Sequence, residues 1–306
     1  MTRRRLTTAL GLLLAVAGCA DSAAPAAERS WQVVVVDDVG REVRLPTPAE
    51  RVISLLPAGT ETLFALGAGE TVVGRTRYDL EPHLAHLPSV GGGLDPSLEA
   101  ILALKPDLVV AFETAGGSGI RPQIERLGIP VFAIRTQDTT DIYRTIERLG
   151  TLVGRDSAAA ALASSIRSRL DSIAASVPRG RRPTALFVAS IDPPIVAGPG
   201  TYLAELIGVA GGQLPDLGVG NRVEWPPLSV EVLLRSDPDV VLLPVGSDSV
   251  GPLERLRREP GWRELAAVRE GRVAPVPADL VSRPGPGIAE IAAVLRRELQ
   301  RLMEPQ

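Results

Sequence analysis

The sequence predicts an α/β protein of two similar lobes, each built on a parallel sheet, joined by one long helix. Three features point there. Strands alternate with helices from Arg51 to Ile134 and again from Ala185 to Val276, the rhythm of βαβ units. One helix-to-strand unit is written twice, once in each half. Between the halves, Asp156 to about Val177 holds neither Gly nor Pro; at 1.5 Å per residue it spans roughly 30 Å, the length of a strut lying along both lobes.

The doubled unit carries the most information. Ser97–Phe112 reads S-L-E-A-I-L-A-L-K-P-D-L-V-V-A-F, and Ser229–Pro244 reads S-V-E-V-L-L-R-S-D-P-D-V-V-L-L-P. Ser97 aligns with Ser229, Glu99 with Glu231, Leu102 with Leu234, Pro106 with Pro238, Asp107 with Asp239 and Val109 with Val241, always 132 positions apart. That period is far too long for a solenoid and fits two related lobes. Two ordinary αβ units also share turn chemistry, so coincidence stays open at this point. In the first copy Asp95 is the expected N-cap and Pro96 the first helical residue. Leu98, Ile101 and Leu102 fall on one helical face. Pro106 stops the helix, because proline disfavours helical geometry in the residue before it. Leu108 to Phe112 is continuously apolar, as in a strand buried on both sheet faces.

The chain opens with Arg3, Arg4 and Arg5, then an apolar run from Leu6 to Ala17. That run is shorter than the about 20 residues needed to cross a bilayer and has the layout of an export signal. Residues 1–18 are therefore expected to be a signal peptide. It ends Val16-Ala17-Gly18-Cys19, similar to the lipobox of bacterial lipoproteins, in which the cysteine becomes the lipidated N-terminus. Cys19 is the only cysteine, so no internal disulfide is available. Residues 19–30, small, polar and rich in Ala, read as a lipid-anchored tether.

Of the 306 residues 45% are hydrophobic, ample for two cores, and 3% are aromatic. Net charge is −3, and the leader contributes three arginines and no acid, so the remainder is more acidic still. That argues against nucleic acid as a partner. Residues 31–137 form the expected first lobe: a hairpin (Val33–Val36, turn Asp37–Gly40, Glu42–Leu45), a strand at Arg51–Leu56 with Pro57–Thr60 as its exit, a helix at Glu61–Leu66 closed by Gly67, strands at Val72–Gly74, Leu108–Phe112 and Val131–Ile134, and a helix at Ile120–Leu127 closed by Gly128. Residues 138–180 are connecting helices. The first runs Thr139–Leu152, broken near Gly150 and Gly154; the second is capped by Asp156 and striped with Leu162, Ile166, Leu170, Ile173 and Val177. Residues 181–306 form the second lobe: strands at Ala185–Ala189, Val240–Leu243 and Arg272–Val276, helices at Tyr202–Ile207, Leu253–Arg258 and Trp262–Val268, and a closing amphipathic helix at Ile288–Met303.

Enzyme signatures are missing. His83 and His86, the only histidines, have no third metal ligand nearby. No G-x-S-x-G is present: in Ser247 to Gly251 a serine stands where the first glycine belongs, and both histidines precede Ser249, the wrong order for an α/β-hydrolase. No Walker motif occurs. Gly116-Gly117-Ser118-Gly119 could nest an anion or be a plain loop. No metal site and no cofactor is expected.

Four stretches resemble the periplasmic substrate-binding proteins of ABC importers, in the class III type with a rigid helix between lobes: Arg51–Gly67 (R-V-I-S-L-L-P-A-G-T-E-T-L-F-A-L-G), Gly74–Tyr78 (G-R-T-R-Y), Val90–Val109 (V-G-G-G-L-D-P-S-L-E-A-I-L-A-L-K-P-D-L-V) and Arg283–Pro286 (R-P-G-P). That class carries cobalamin, ferric siderophores and haem. The likeness is greatest to cobalamin-binding members, which often have Cys-Asp-Tyr-Pro where this chain has Asp79-Leu80-Glu81-Pro82. The resemblance implies an extracytoplasmic, lipid-anchored receptor that takes a corrinoid or ferric chelate in an interlobe cleft. It would pass that cargo to a permease dimer and its ATPase. A siderophore or haem receptor is the alternative within the class; a lipid-anchored hydrolase is the alternative outside it.

The resemblance also implies roles. Glu99 and Glu231 stand where a glutamate on each lobe meets arginines of the permease; on residues alone, each equally suits a helix first turn through the macrodipole. Tyr78 and Trp225, rare aromatics on loops, either offer faces to a flat macrocycle or pack half-buried. Arg283 faces the cleft by resemblance, where a guanidinium could meet a carboxylate, phosphate or amide oxygen. Arg77 is a further candidate, with a solvated arginine as its plain alternative.

Overall fold

A computed structural model describes residues 30–113, 119–246 and 251–303. The leader, all but the last residue of the tether, Cys19, Gly116 to Ser118, and Ser247 to Val250 lie outside the described residues. β1 (Val33–Val36) and β2 (Glu42–Leu45) form an antiparallel hairpin with alternating burial, turning Val33, Val35, Val43 and Leu45 inward. Asp37 closes its turn by accepting from the amides of Val39 and Arg41.

The first sheet holds β3 (Val52–Ser54), β4 (Val72–Gly74), β5 (Leu108–Phe112) and β6 (Val131–Ile134), all parallel, in the order β4-β3-β5-β6. Its crossover helices are α1 (Pro57–Ala65), α2 (Leu98–Ala103) and α3 (Arg121–Glu125). Then come α4 (Thr139–Leu152) and α5 (Asp156–Ala175). The second sheet, ordered β10-β9-β7-β8, holds β7 (Ala185–Ser190), β8 (Ile195–Val196), β9 (Val240–Val245) and β10 (Val273–Pro277). It is parallel except for the short edge strand β8. Its helices are α6 (Tyr202–Val209), α7 (Val230–Ser236), α8 (Pro252–Arg258), α9 (Ala266–Arg269), α10 (Ala278–Val281) and α11 (Ile288–Met303).

Each sheet is buried on both faces, which is why its central strands read as unbroken apolar runs. One core runs from Leu63, Val110 and Phe132 of the first lobe through Ile146, Leu149, Ile166 and Leu170 to Phe187, Leu242, Ile291 and Leu295 of the second. Separate clusters cover the remaining faces, around Ile53, Ile101 and Val109 in one lobe and Val188, Leu233 and Trp262 in the other. Helix α5 packs against α4, α6 and α11, and so ties both lobes to one rod.

The repeat extends to backbone and hydrogen bonds. Ser97 and Ser229 are both N-caps, accepting from the amides of Ala100 at 3.1 Å and Val232 at 3.3 Å. Lys105 and Asp237, each before its proline, have positive φ of 48° and 25°. Asp107 accepts from the amides of Glu50 at 2.9 Å and Arg51 at 3.0 Å, just ahead of β3. Asp239 accepts from the Thr184 amide at 2.8 Å and its hydroxyl at 3.0 Å, just ahead of β7. Each aspartate thus pins the start of the neighbouring strand.

Several boundaries differ from the sequence expectation. Ser97, not Asp95, caps α2, and Pro96 precedes the helix. Pro57–Thr60 is no exit loop but the first turn of α1. Leu102 is exposed while Ile101 is buried. Helix α4 runs through Gly150, whose missing Cβ admits Ala159 of α5. Asp156 is the first residue of α5 and accepts from the Thr151 hydroxyl at 2.6 Å. The expected helix at Trp262–Val268 is a 3-10 turn, then α9 from Ala266.

Candidate functional site

Parallel sheets gather functional loops at the C-terminal ends of their strands. Leu56 follows β3, Tyr78 and Leu80 follow β4, Phe112 ends β5 and Thr136 follows β6. These meet Asp279, Ser282, Arg283 and Pro284, which follow β10, around a cleft of about 460 Å³ between the lobes. The volume suits a small-molecule site. Apolar groups dominate the first-lobe wall: Tyr78 is 53% exposed, and Leu80 and Phe112 are exposed too. The second-lobe wall contributes polar groups.

Of the sequence-predicted ligand residues, Tyr78 and Arg283 line this cleft and Arg77 and Trp225 do not. Arg283 crosses between lobes, donating to the Glu81 carboxylate and, at 3.4 Å, to the Tyr78 carbonyl. Its partner holds it at the mouth and keeps its charge balanced. Arg77 lies behind Tyr78, its guanidinium 5.3 Å from the ring centre, and donates to both Asp95 oxygens at 2.7 Å. That pairing holds the Asp95 carboxyl below its usual range. Trp225 meets Phe187 edge to face, centroids 6.5 Å apart.

The neighbour of Trp225 was missed by sequence reading. Glu224 of the second lobe accepts from Gln137 and pairs with Arg135 at 3.7 Å, both in the link after β6. The lobes are therefore fastened at two places, by Arg283–Glu81 and by Glu224. Leu56, Leu80, Phe112, Thr136 and Asp279 were missed as well. One signal could have found several: taking the residues that follow each predicted strand.

A side cavity of about 230 Å³ adjoins the cleft at Pro57, lined by Thr60, Glu61, Phe64, Asp79, Glu81, His83 and Leu84. Asp79 is buried there; one oxygen accepts from the amide of Thr76 at 2.7 Å and its hydroxyl at 2.6 Å, and the other has no protein partner. The His83 ring packs on Phe64 with centroids 4.8 Å apart. Among the described residues no three His, Cys, Asp or Glu side chains are grouped to hold a metal, and no helix is long and apolar enough to cross a membrane.

Glu99 and Glu231 occupy the first turns of α2 and α7 and are both exposed, without an ion pair among the described residues. The Ser229 hydroxyl holds the Glu231 carboxyl below its ordinary value. Each helix runs antiparallel to the strand it enters, β5 or β9. Its N-terminus therefore lies at the edge of the sheet where the cleft opens.

Known proteins share this build. YvrC, an uncharacterised ABC transporter substrate-binding lipoprotein of Bacillus subtilis, is 29% identical over 306 residues, 95% of either chain. A cobalamin-binding protein of Halobacterium salinarum is 30% identical over 85% of this chain and 72% of its own. The haem-binding protein RhuT of Roseiflexus sp. RS-1, in apo form, superposes with a TM-score of 0.68 and 28% identity, covering 82% of this chain and all of that one. Two αβ lobes on parallel sheets, joined by a helical rod, are common to the fold. The matching proteins are binders, which removes the hydrolase alternative. With the family match running from residue 52 to 280, through both sheets and the rod, the chain belongs to the periplasmic binding protein family.

Proposed function

We propose that this protein is the extracytoplasmic receptor of an ABC importer, tethered by lipid at Cys19, and that it binds a corrinoid in the interlobe cleft. One observation carries the ligand reading: the cleft joins an exposed aromatic and apolar wall (Tyr78, Leu80, Phe112) to a guanidinium and hydroxyl wall (Arg283, Ser282). A flat macrocycle rimmed with amide arms needs both kinds of surface. The similarity to the Halobacterium cobalamin-binding protein supports the same choice. Glu99 and Glu231 are the residues proposed to meet the permease dimer.

Haem is the second reading, favoured by Tyr78. A phenolic oxygen is a known axial ligand of haem iron, this one is open to the cleft, and Arg77 stands beside its ring. Titration of the mature protein with cyanocobalamin, haemin and ferric siderophores separates the readings. Saturable binding of cyanocobalamin in preference to the others is expected. Tight haemin binding with a shifted Soret band would move the assignment to haem, and no saturation by any of them would end the receptor reading.

A further inference from the structure

The side cavity next to the cleft is built from one helix face and one loop. Pro57, Thr60, Glu61 and Phe64 recur at the i, i+3, i+4 and i+7 spacing that sets them on a single face of α1. The loop after β4, running into a 3-10 turn at Pro82–Leu84, supplies Asp79 and Glu81. Both bring acceptors that lack donors. Asp79 is only 2% exposed; Thr76 satisfies one of its oxygens, and the other is buried with no hydrogen-bond partner among the described residues. Glu81 repeats the pattern: Arg283 takes one oxygen, and the second is buried without a partner. Buried acceptors are normally met, so two unmet ones at a single cavity call for a donor from outside. Glu61 adds a third carboxyl, held above its ordinary value by desolvation, with Arg283 opposing and Glu81 adding. Among the described residues the cationic groups beside these acids are Arg283, which also lines the cleft, and His83 when protonated. Arg75 donates to the Asp79 carbonyl at 3.4 Å rather than to the carboxyl. Asp79 and Glu81 both stand in the stretch where this chain departs from the Cys-Asp-Tyr-Pro frequent in cobalamin-binding members.

We propose that this cavity is a subsite for a primary alkylammonium group, with Asp79 and Glu81 receiving its N–H donors and Phe64 and Leu84 packing on its stem. An ammonium carries three donors and no acceptor, the complement of a lining whose unmet groups are all acceptors. A metal ion is the wrong guest, because among the described residues no three His, Cys, Asp or Glu side chains are grouped to hold one. The cavity volume of about 230 Å³ exceeds the about 150 Å³ that holds a benzene ring, room for a short aminoalkyl chain. The group arrives either as a free small amine or as an arm of cargo seated in the cleft. Pro57 lines both spaces, and the Arg283–Glu81 pair joins a residue of one to a residue of the other. The cargo-arm source rests on the receptor reading; the free-amine source does not.

The test titrates the mature protein with two matched pairs of probes. n-Butylammonium against n-butanol, its neutral isostere, reads the free amine by saturation-transfer NMR. Ferrioxamine B, a ferric chelate that ends in a primary amine, against its N-acetyl form reads the cargo arm. In at least one pair the amine is expected to bind saturably and at least about tenfold tighter than its neutral partner; which pair responds names the source. Asp79→Asn keeps an acceptor for Thr76 and replaces the unmet oxygen by an N–H donor, so it should weaken that binding at least about tenfold. Glu61→Gln, at an exposed position on α1, should weaken it in the same direction, with unchanged far-UV circular dichroism in both variants. Equal binding of amine and neutral partner in both pairs, no saturation by either amine, or amine binding that survives Asp79→Asn would overturn the proposal. Cyanocobalamin and haemin titrations of the parent keep the two ideas apart. Macrocycle binding without any preference for an amine defeats the subsite alone; butylammonium binding without binding of any macrocycle or chelate defeats the receptor reading alone.

Discussion

Tyr78 and Asp239 show two ways a single side chain matters here. Tyr78 offers a half-exposed ring to the cleft, propped by Arg77, which Asp95 in turn holds. Tyr78→Ala should weaken ligand binding at least tenfold, since a stacked aromatic contributes about 1 kcal/mol beyond its buried area; the melting temperature should not move. Tyr78→Phe discriminates further: it keeps the ring for a corrinoid and removes the oxygen that haem iron would need. Asp239 acts on stability. Burial pushes its carboxyl up, but the Thr184 hydrogen bonds and then Arg181 outweigh this, so its pKa falls below the ordinary 3.8. A depressed carboxyl stabilises the fold above its unfolded pKa and loses that contribution as pH drops through the folded one. Asp239→Asn should therefore cost about 1–3 kcal/mol at neutral pH. The deficit should shrink below pH ~3.8 in urea unfolding; a pH-independent deficit would contradict the assigned role.

At the scale of elements, the contact between α4 and α5 depends on an absent side chain. A Cβ on Gly150 would lie 2.5 Å from the Ala159 Cβ and 3.3 Å from the Arg155 carbonyl oxygen. Alanine is intrinsically the better helix former by about 1 kcal/mol, yet overpacking costs about 1–3 kcal/mol. Gly150→Ala should thus be neutral to about 2 kcal/mol destabilising by denaturant midpoint, and a clear stabilisation would refute the close approach. The sequence marked this glycine as a break because the partner that needs it lies in the next helix. The same non-locality explains the shifted cap of α2: Asp-Pro-Ser offers two good caps, and Arg77, 18 positions away, engages Asp95 and leaves Ser97 for the helix. Helix α1 carries no side-chain cap at Leu56, so Pro57 at its first position is the one local mark of its start. Legible elements were those with a long period or an unbroken apolar run: α4, β5, β6 and α11. The cleft was legible through Tyr78 and Arg283; its remaining wall is assembled from strand ends far apart in sequence, which periodicity does not join.

Across the molecule, the strut and two interlobe fastenings act together on the motion available for binding. Helix α5 shares one continuous core with both lobes, so a large hinge rotation would open apolar surface along Ile166 and Leu170. Arg283–Glu81 and Glu224–Arg135 add two polar ties between the lobes. Exposed or half-exposed pairs such as these are individually weak, about 0–1 kcal/mol, so the core and not the ion pairs should set the limit. Ligand binding is then expected to move backbone atoms by about 1 Å or less, the range of pre-organised complexes. Small-angle scattering of the mature protein with and without saturating cyanocobalamin or haemin checks this. The radius of gyration should change by less than about 1 Å, and the Glu81→Gln/Glu224→Gln variant should behave like the parent. A contraction of several ångströms in the parent would mean that the rod bends. A contraction confined to the variant would mean that the polar ties, and not the shared core, limit the motion of the lobes.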